Sequence, residues 1–140
     1  MIGRPSMPAL PGSRRILIVD DEPTIAETLD LIFSTRGYEV RTANSAEETI
    51  ELLSQWRPDL AMLDVMLPQM NGIDLGIAIR ANYPDCKVLL LSGHPSAGEL
   101  LETAKEKGHV FDLLAKPLHP SFILDTVSAL LPSTGGPAEA

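Results

Sequence analysis

Residues 16–23 read Ile16-Leu17-Ile18-Val19-Asp20-Asp21-Glu22-Pro23. The apolar run does not alternate, three of its four residues are β-branched, and it stops abruptly at two acids. Such a run suits a strand covered on both faces, as in a parallel sheet. Pro23 then fits the first turn of a helix, where its missing N–H leaves no bond unmade. Ile25, Leu29, Ile32 and Phe33 recur at helical spacing, and Gly37 can supply a left-handed stop.

The same alternation continues outward along the chain. Glu39 to Ala43 predicts a second, more polar strand at an edge. Ser45 and Glu48 form a capping box for a helix running to Arg57 and halted by Pro58. Leu60 to Leu63 predicts a third strand ending at Asp64, and a helix follows from Ile73 to Asn82. Lys87 to Leu91 predicts a fourth strand ending at Ser92. Ser96 and Glu99 offer a second capping box, for a helix that stops at Gly108. Asp112 to Ala115 is a short fifth strand, and a last helix runs from Pro120 to Leu131. Five strands alternating with five helices define an α/β chain, which right-handed crossovers turn into a (βα)5 doubly wound parallel sheet.

In such sheets ligands sit outside the carboxyl ends of the strands. Strand one ends in Asp20-Asp21, strand three in Asp64, strand four in Ser92 and strand five in Lys116-Pro117. Two unit charges about 4 Å apart repel by roughly 4 kcal/mol at an effective dielectric near 20. Three converging carboxylates therefore take up protons or demand a cation, and one lysine cannot neutralise them all. Oxygen-only ligands point to Mg²⁺ or a similar hard cation such as Mn²⁺. A carboxylate beside such an ion and a lysine is suited to accept a phosphoryl group as an acyl phosphate.

Composition narrows the classes. The 140 residues carry 11 Lys+Arg and 19 Asp+Glu, a formal charge of −8. Phosphate backbones and anionic membranes repel that balance, so neither nucleic acid nor membrane is an expected partner. The single cysteine, Cys86, has no intrachain partner, which fits a reducing compartment, and no apolar run approaches about 18 residues, so the expected location is the cytoplasm. Residues 1–13 and 132–140 are rich in Pro, Gly and Ser and are expected to be flexible tails around a domain over 14–131.

Blander readings stand beside these. Asp20 and Asp21 could simply cap the first helix. Ser92 could cap a turn with Gly93, and Ile25 could be core. Trp56 is expected to cover the end of its own helix, and Cys86 to be a small buried or edge residue. Phe122 falls off the stripe Ile123, Val127 and Leu130. His94, His109 and His119 show no ligand spacing.

Four segments in order carry a family resemblance: DDE at 20–22, LDVMLPQMNG around Asp64, LLLSGH at the fourth strand and AKP at the fifth. Together they resemble the receiver domain of bacterial response regulators, a doubly wound fold of strand order 2-1-3-4-5. The resemblance implies that Asp64 is the phosphoacceptor. It also implies that Asp21 binds Mg²⁺ directly, Asp20 largely through water, and Met66 through its backbone carbonyl. Lys116 and Ser92 would contact the phosphoryl oxygens. Pro117 would follow a cis bond, and Gly72 would permit the turn into the third helix. Ile25, Pro68 and Leu118 would lie where partners dock. The implied partners are a sensor histidine kinase or phosphotransfer protein and a downstream protein target.

Two features depart from the family. Receivers usually carry Tyr or Phe three residues before the strand-five lysine, as a switch residue, and here that position is Leu113. The nearest aromatic is Phe111. The last helix has no Lys or Arg, so a dimer paired through basic and acidic residues on that face is not supported, and a monomer or weak dimer is expected. With no output domain after Leu131, the expectation is a stand-alone receiver. The alternatives are a receiver excised from a larger regulator or hybrid kinase and a pseudo-receiver used only for binding. A metal-dependent phosphatase is disfavoured because Asp64-Val65-Met66 lacks the second acid that chemistry uses. A flavodoxin is disfavoured because strand one leads into Asp-Asp-Glu-Pro, not a phosphate loop.

Overall fold

Strand β1 (Arg15–Val19) lies inside a five-stranded sheet, parallel to β2 (Glu39–Ala43) on one side and β3 (Leu60–Asp64) on the other. β4 (Lys87–Ser92) and β5 (Asp112–Ala115) extend the sheet beyond β3, giving the order β2-β1-β3-β4-β5 with every pair parallel. This is the doubly wound architecture and strand order expected from the sequence. The computed structural model describes residues 13–68, 70–117 and 119–131. Of the expected tails only Ser13 falls within that range, and Leu118 lies outside the described residues.

Alternate residues of the strands feed two cores. Leu17, Val19, Ala61, Leu63, Val88 and Leu90 face α2 (Ala46–Leu53), α3 (Gly72–Asn82) and α4 (Ala97–Glu106). Ile16, Ile18, Leu60, Met62, Leu89 and Leu91 face α1 (Pro23–Ser34) and α5 (Pro120–Leu130). Burial on both faces explains why the central strands read as unbroken apolar runs. Ala26, Leu29 and Phe33 carry the buried stripe of α1, while Ile25 and Ile32 sit half-buried at its border. Gly37 follows α1 at φ +94°, the backbone setting that glycine tolerates best.

Helix α2 shows both an expected start and an unexpected end. Ser45 Oγ accepts the Glu48 N–H at 3.1 Å, and Glu48 Oε1 accepts the Asn44 N–H at 2.7 Å, one residue before the usual reciprocal partner. The helix stops at Leu53 instead of Arg57. Its last turn tightens, with Ser54 N–H bonding to Glu51 O and Gln55 N–H to Leu52 O. Trp56 therefore does not merely cover its own helix. It is buried against the sheet, its Nε1–H donates to Glu39 Oε2 at 3.1 Å, and the Arg15 and Arg41 guanidiniums stack on its ring.

The second expected capping box is absent. Ser96 already has helical angles (φ −79°, ψ −3°), so its side chain does not cap α4. Asn71 caps α3 instead of going unremarked, accepting the Asp74 N–H at 2.8 Å. Phe122 is exposed, off the buried face of α5 formed by Ile123 and Val127.

Cys86 is buried in the α2–α3–α4 core, where burial, and then the Asp59 charge, push its thiol up to about 12. The folded protein thus keeps this proton while an unfolded chain loses it near pH 8.5. Stability linked to Cys86 is complete below that value and falls as pH rises toward 12. Relative to Cys86→Ala, the wild type is expected to lose about 2 kcal/mol between pH 7.5 and pH 10.5, measured by urea denaturation. A stability difference that does not change with pH would show that the thiol is not desolvated.

Candidate functional site

The ends of four strands meet at one rim. Asp20 directly follows β1 and is fully buried. Its Oδ1 accepts the Glu22 N–H at 2.9 Å, which steers the chain into α1, and its Oδ2 takes the Lys116 ammonium at 2.9 Å. One oxygen of Asp20 thus orders the chain just before α1 without capping the helix, whose N-cap position is Glu22, while the other meets Lys116. Asp64 closes β3, is 6% exposed, accepts the Met66 N–H through Oδ1 at 3.1 Å and faces Lys116 through Oδ2 at 3.4 Å. Asp21 is exposed, yet Asp20, Asp21 and Asp64 each place a carboxylate oxygen within 4.8 Å of the others.

Lys116 reaches this cluster because its backbone extends the β5 ladder: its N–H donates to Ser92 O at 2.9 Å, and its peptide bond to Pro117 is cis. Ser92, buried at the end of β4, accepts the His94 N–H through Oγ at 3.0 Å. Gly72 has a different job from the turn expected of it. Its φ is not positive, but a Cβ there would collide with the Asp64 carbonyl oxygen and lie 2.9 Å from the carbonyl carbon. Glycine lets α3 begin hard against the backbone of the acceptor residue, its N–H bonding to Val65 O at 2.7 Å.

Burial raises the pKa of Asp64, and the Asp20 charge adds to that, while the Met66 N–H and Lys116 act in the opposite sense. Burial alone would lower Lys116, but its bond to Asp20 and the charges of Asp64 and Asp20 outweigh it and leave the ammonium raised. Three carboxylates thus share one cation. The surplus charge and the converging oxygens suit a hard divalent ion, which such sites bind through carboxylates with water completing the shell. Such an ion is expected to raise the melting temperature. Asp21→Asn should weaken Mg²⁺ affinity while leaving the metal-free protein no less stable, because it removes a repulsive exposed charge. Calorimetry with no heat of Mg²⁺ binding at millimolar concentration would show that these oxygens do not form one site.

The remaining expected residues are placed as follows. Ile25 is half-buried beside α5 and lines a groove of about 410 Å³ with Thr24, Thr28, Lys116, Pro117 and Ile123. Pro68 is exposed. Leu113 is half-buried against the α2–α3–α4 core. Phe111 cannot substitute for an aromatic at that position, since it is buried against Gly76 and stacked under the Arg80 guanidinium at 4.0 Å. The Lys116–Asp20 pair and the His94 contact to Ser92 were not anticipated. Residues 96 apart leave no local trace of pairing, whereas the position of His94 two residues after Ser92 was available as a turn signal.

A doubly wound sheet whose strand ends gather buried acids around a lysine defines an acid-pocket α/β domain. The family described as "Response regulator receiver domain" matches residues 16–128, and the chain belongs to that family. It is 32% identical over 120 residues to a probable transcriptional regulatory protein, TcrX of Mycobacterium tuberculosis, covering 86% of this chain and 50% of that protein. Response regulator MprA of Mycobacterium leprae is 34% identical over 120 residues, covering 86% of this chain and 52% of the relative. The chain thus spans about half the length of the curated relatives it matches. Among solved structures, a CheY-like receiver domain protein of Methanospirillum hungatei superimposes with TM-score 0.76 at 27% identity, covering 84% of this chain and 93% of that one. The response regulator TrrA of Thermotoga maritima, solved with Mg²⁺ and BeF, gives 0.73 at 30% identity, covering 84% and 99%. Among the described residues no helix is long and apolar enough to cross a membrane.

Proposed function

We propose that this receiver accepts a phosphoryl group on Asp64 from a sensor histidine kinase or a histidine phosphotransfer protein and signals through protein contacts. The observation that carries this reading is the Lys116 ammonium bridging Asp20 and Asp64 in a buried rim that Asp21 completes. A carboxylate oxygen of Asp64 attacks phosphorus. The new O–P bond forms as the P–N bond of the phosphohistidine breaks, and the departing nitrogen keeps the electron pair and takes up a proton. Lys116 offsets charge on the phosphoryl oxygens, and Ser92 follows with its hydroxyl. Asp20, Asp21, Asp64 and the Met66 carbonyl would hold Mg²⁺ or Mn²⁺, which when bound supplies further positive charge to those oxygens. Water attacking the acyl phosphate restores the carboxylate and releases inorganic phosphate, so the domain turns over its own signal and is not an enzyme toward other substrates.

Intact-mass measurement after exposure to a small acyl phosphate or phosphoramidate tests the reading. One phosphoryl group should be gained with Mg²⁺ present and none with the ion chelated. A protein that stays unmodified at saturating donor would instead be an interaction module. Donor docking is proposed at the α1–α5 groove. Ile25→Asp should therefore slow transfer from a phosphorylated protein donor while leaving uptake from the small donor unchanged.

A further inference from the structure

The segments that follow β4 and β5 contain the same tripeptide, His94-Pro95-Ser96 just before α4 and His119-Pro120-Ser121 across the start of α5. The two fold alike. In each, the backbone N–H of the serine donates to the histidine Nδ1, at 3.1 Å for His94 and 3.2 Å for His119, and the serine Oγ lies 2.8 and 2.9 Å from the same nitrogen. A backbone N–H can only donate, so Nδ1 carries a lone pair and the imidazole is neutral with its proton on Nε2. The two differ in their place at the helix start, since Ser96 precedes α4 whereas Ser121 lies in the first turn of α5, and in what the histidine backbone meets. The backbone of His94 is also bonded to Ser92: its N–H donates to Ser92 Oγ at 3.0 Å, and that hydroxyl lies 3.4 Å from the His94 carbonyl. His119 caps α5 and has no such contact among the described residues.

We propose that His94 is a positioning residue for Ser92: its neutral ring pins the β4–α4 loop in the form that holds the Ser92 hydroxyl away from the acceptor. The inference rests on the phosphoacceptor reading of Asp64. Ser92 Oγ can go on accepting the His94 N–H while its proton turns to a phosphoryl oxygen, but that gives up the 3.4 Å contact with the His94 carbonyl, and bringing the oxygen itself closer draws residues 93–96 with it. The ring–Ser96 contacts oppose that movement, so they favour the resting state. Protonating His94 removes the Nδ1 acceptor and places a cation at the start of α4, where a helix N-terminus disfavours it. Histidine is the side chain that ordinarily takes up its proton between about pH 8 and pH 5, so acidification is a handle on the pin. Lys116, whose Cβ lies beside Gly93, is engaged by Asp20 and Asp64, and Glu99 stands in the first turn of α4. His119 is the titratable counterpart in the β5–α5 loop.

Asparagine places an oxygen where histidine has Nδ1 but does not titrate, so His94→Asn keeps the pin at every pH and His94→Ala removes it. Affinity for beryllofluoride with Mg²⁺ is measured for the wild type and both variants from pH 8 to pH 5.5. At pH 8 the wild type should match His94→Asn within twofold, and His94→Ala should bind about three- to tenfold more tightly, the effect of one or two lost hydrogen bonds. At pH 5.5 the wild type should approach His94→Ala and separate from His94→Asn. His119→Asn should leave the wild-type pH profile intact. A constant ratio of wild type to His94→Asn, or equal affinities of wild type and His94→Ala at pH 8, would overturn the role of His94. Failure of the wild type itself to bind beryllofluoride would overturn the phosphoacceptor reading and this inference with it. Nitrogen chemical shifts of the His94 ring give an independent check at pH 8, where Nε2–H is expected and Nδ1–H would contradict the pin.

Discussion

Lys116→Ala is expected to lose about 3–4 kcal/mol of stability at pH 7 in metal-free buffer. Asp20 is fully buried and its Oδ2 has the Lys116 ammonium as its cationic partner. Removing one member of a buried pair leaves the other desolvated and uncompensated. Millimolar Mg²⁺ should restore more stability to the variant than to the wild type, because it supplies the missing positive charge. Urea denaturation at pH 7, with and without Mg²⁺, reads both effects. A variant as stable as the wild type at pH 7 without metal would mean that Asp20 does not depend on Lys116.

Gly72→Ala should be destabilising by about 3 kcal/mol, at the upper end of overpacking costs. The obstacle is backbone, the carbonyl of Asp64 and the Cα of Val65 at 3.0 Å, and no side-chain rotation can relieve it. Either α3 withdraws from the sheet or Asp64 shifts, so phosphoryl uptake should fall together with stability. Gly98, on the exposed side of α4 with nothing within 4 Å, provides the opposite control. Gly98→Ala should stabilise by up to about 1 kcal/mol through helix propensity. A Gly72→Ala protein as stable as the wild type would show that the close approach is not needed.

The strands and the rim were legible because their causes are local. Ile16 to Val19 and Leu60 to Leu63 are apolar on both faces, and the polar residues that end them fall at the carboxyl edge by the rules of parallel topology. What escaped depends on groups far apart in the chain or on competition among near neighbours. Ser96 and Glu99 have capping-box spacing, but His94 takes the serine first, and spacing alone cannot rank two acceptors. The stretch from Ser54 to Arg57 contains no helix breaker. It leaves the helix because Trp56 gains more by packing on the sheet beside Glu39, Arg15 and Arg41. Gly72 was read as a turn glycine, and only its contact with Asp64 shows that space is what it provides. Asn71, by contrast, is a favoured capping residue at a legible position just before the helix.

Locating the phosphoryl group on the chain tests the central claim most directly. Protein phosphorylated by a small acyl phosphate with Mg²⁺ is reduced with borohydride, which converts an aspartyl phosphate to homoserine, and the peptides are sequenced by mass spectrometry. Homoserine at position 64 alone is the predicted result. Homoserine at position 20 or 21, or aspartate unchanged at all three positions in protein that has gained a phosphoryl group, would contradict it.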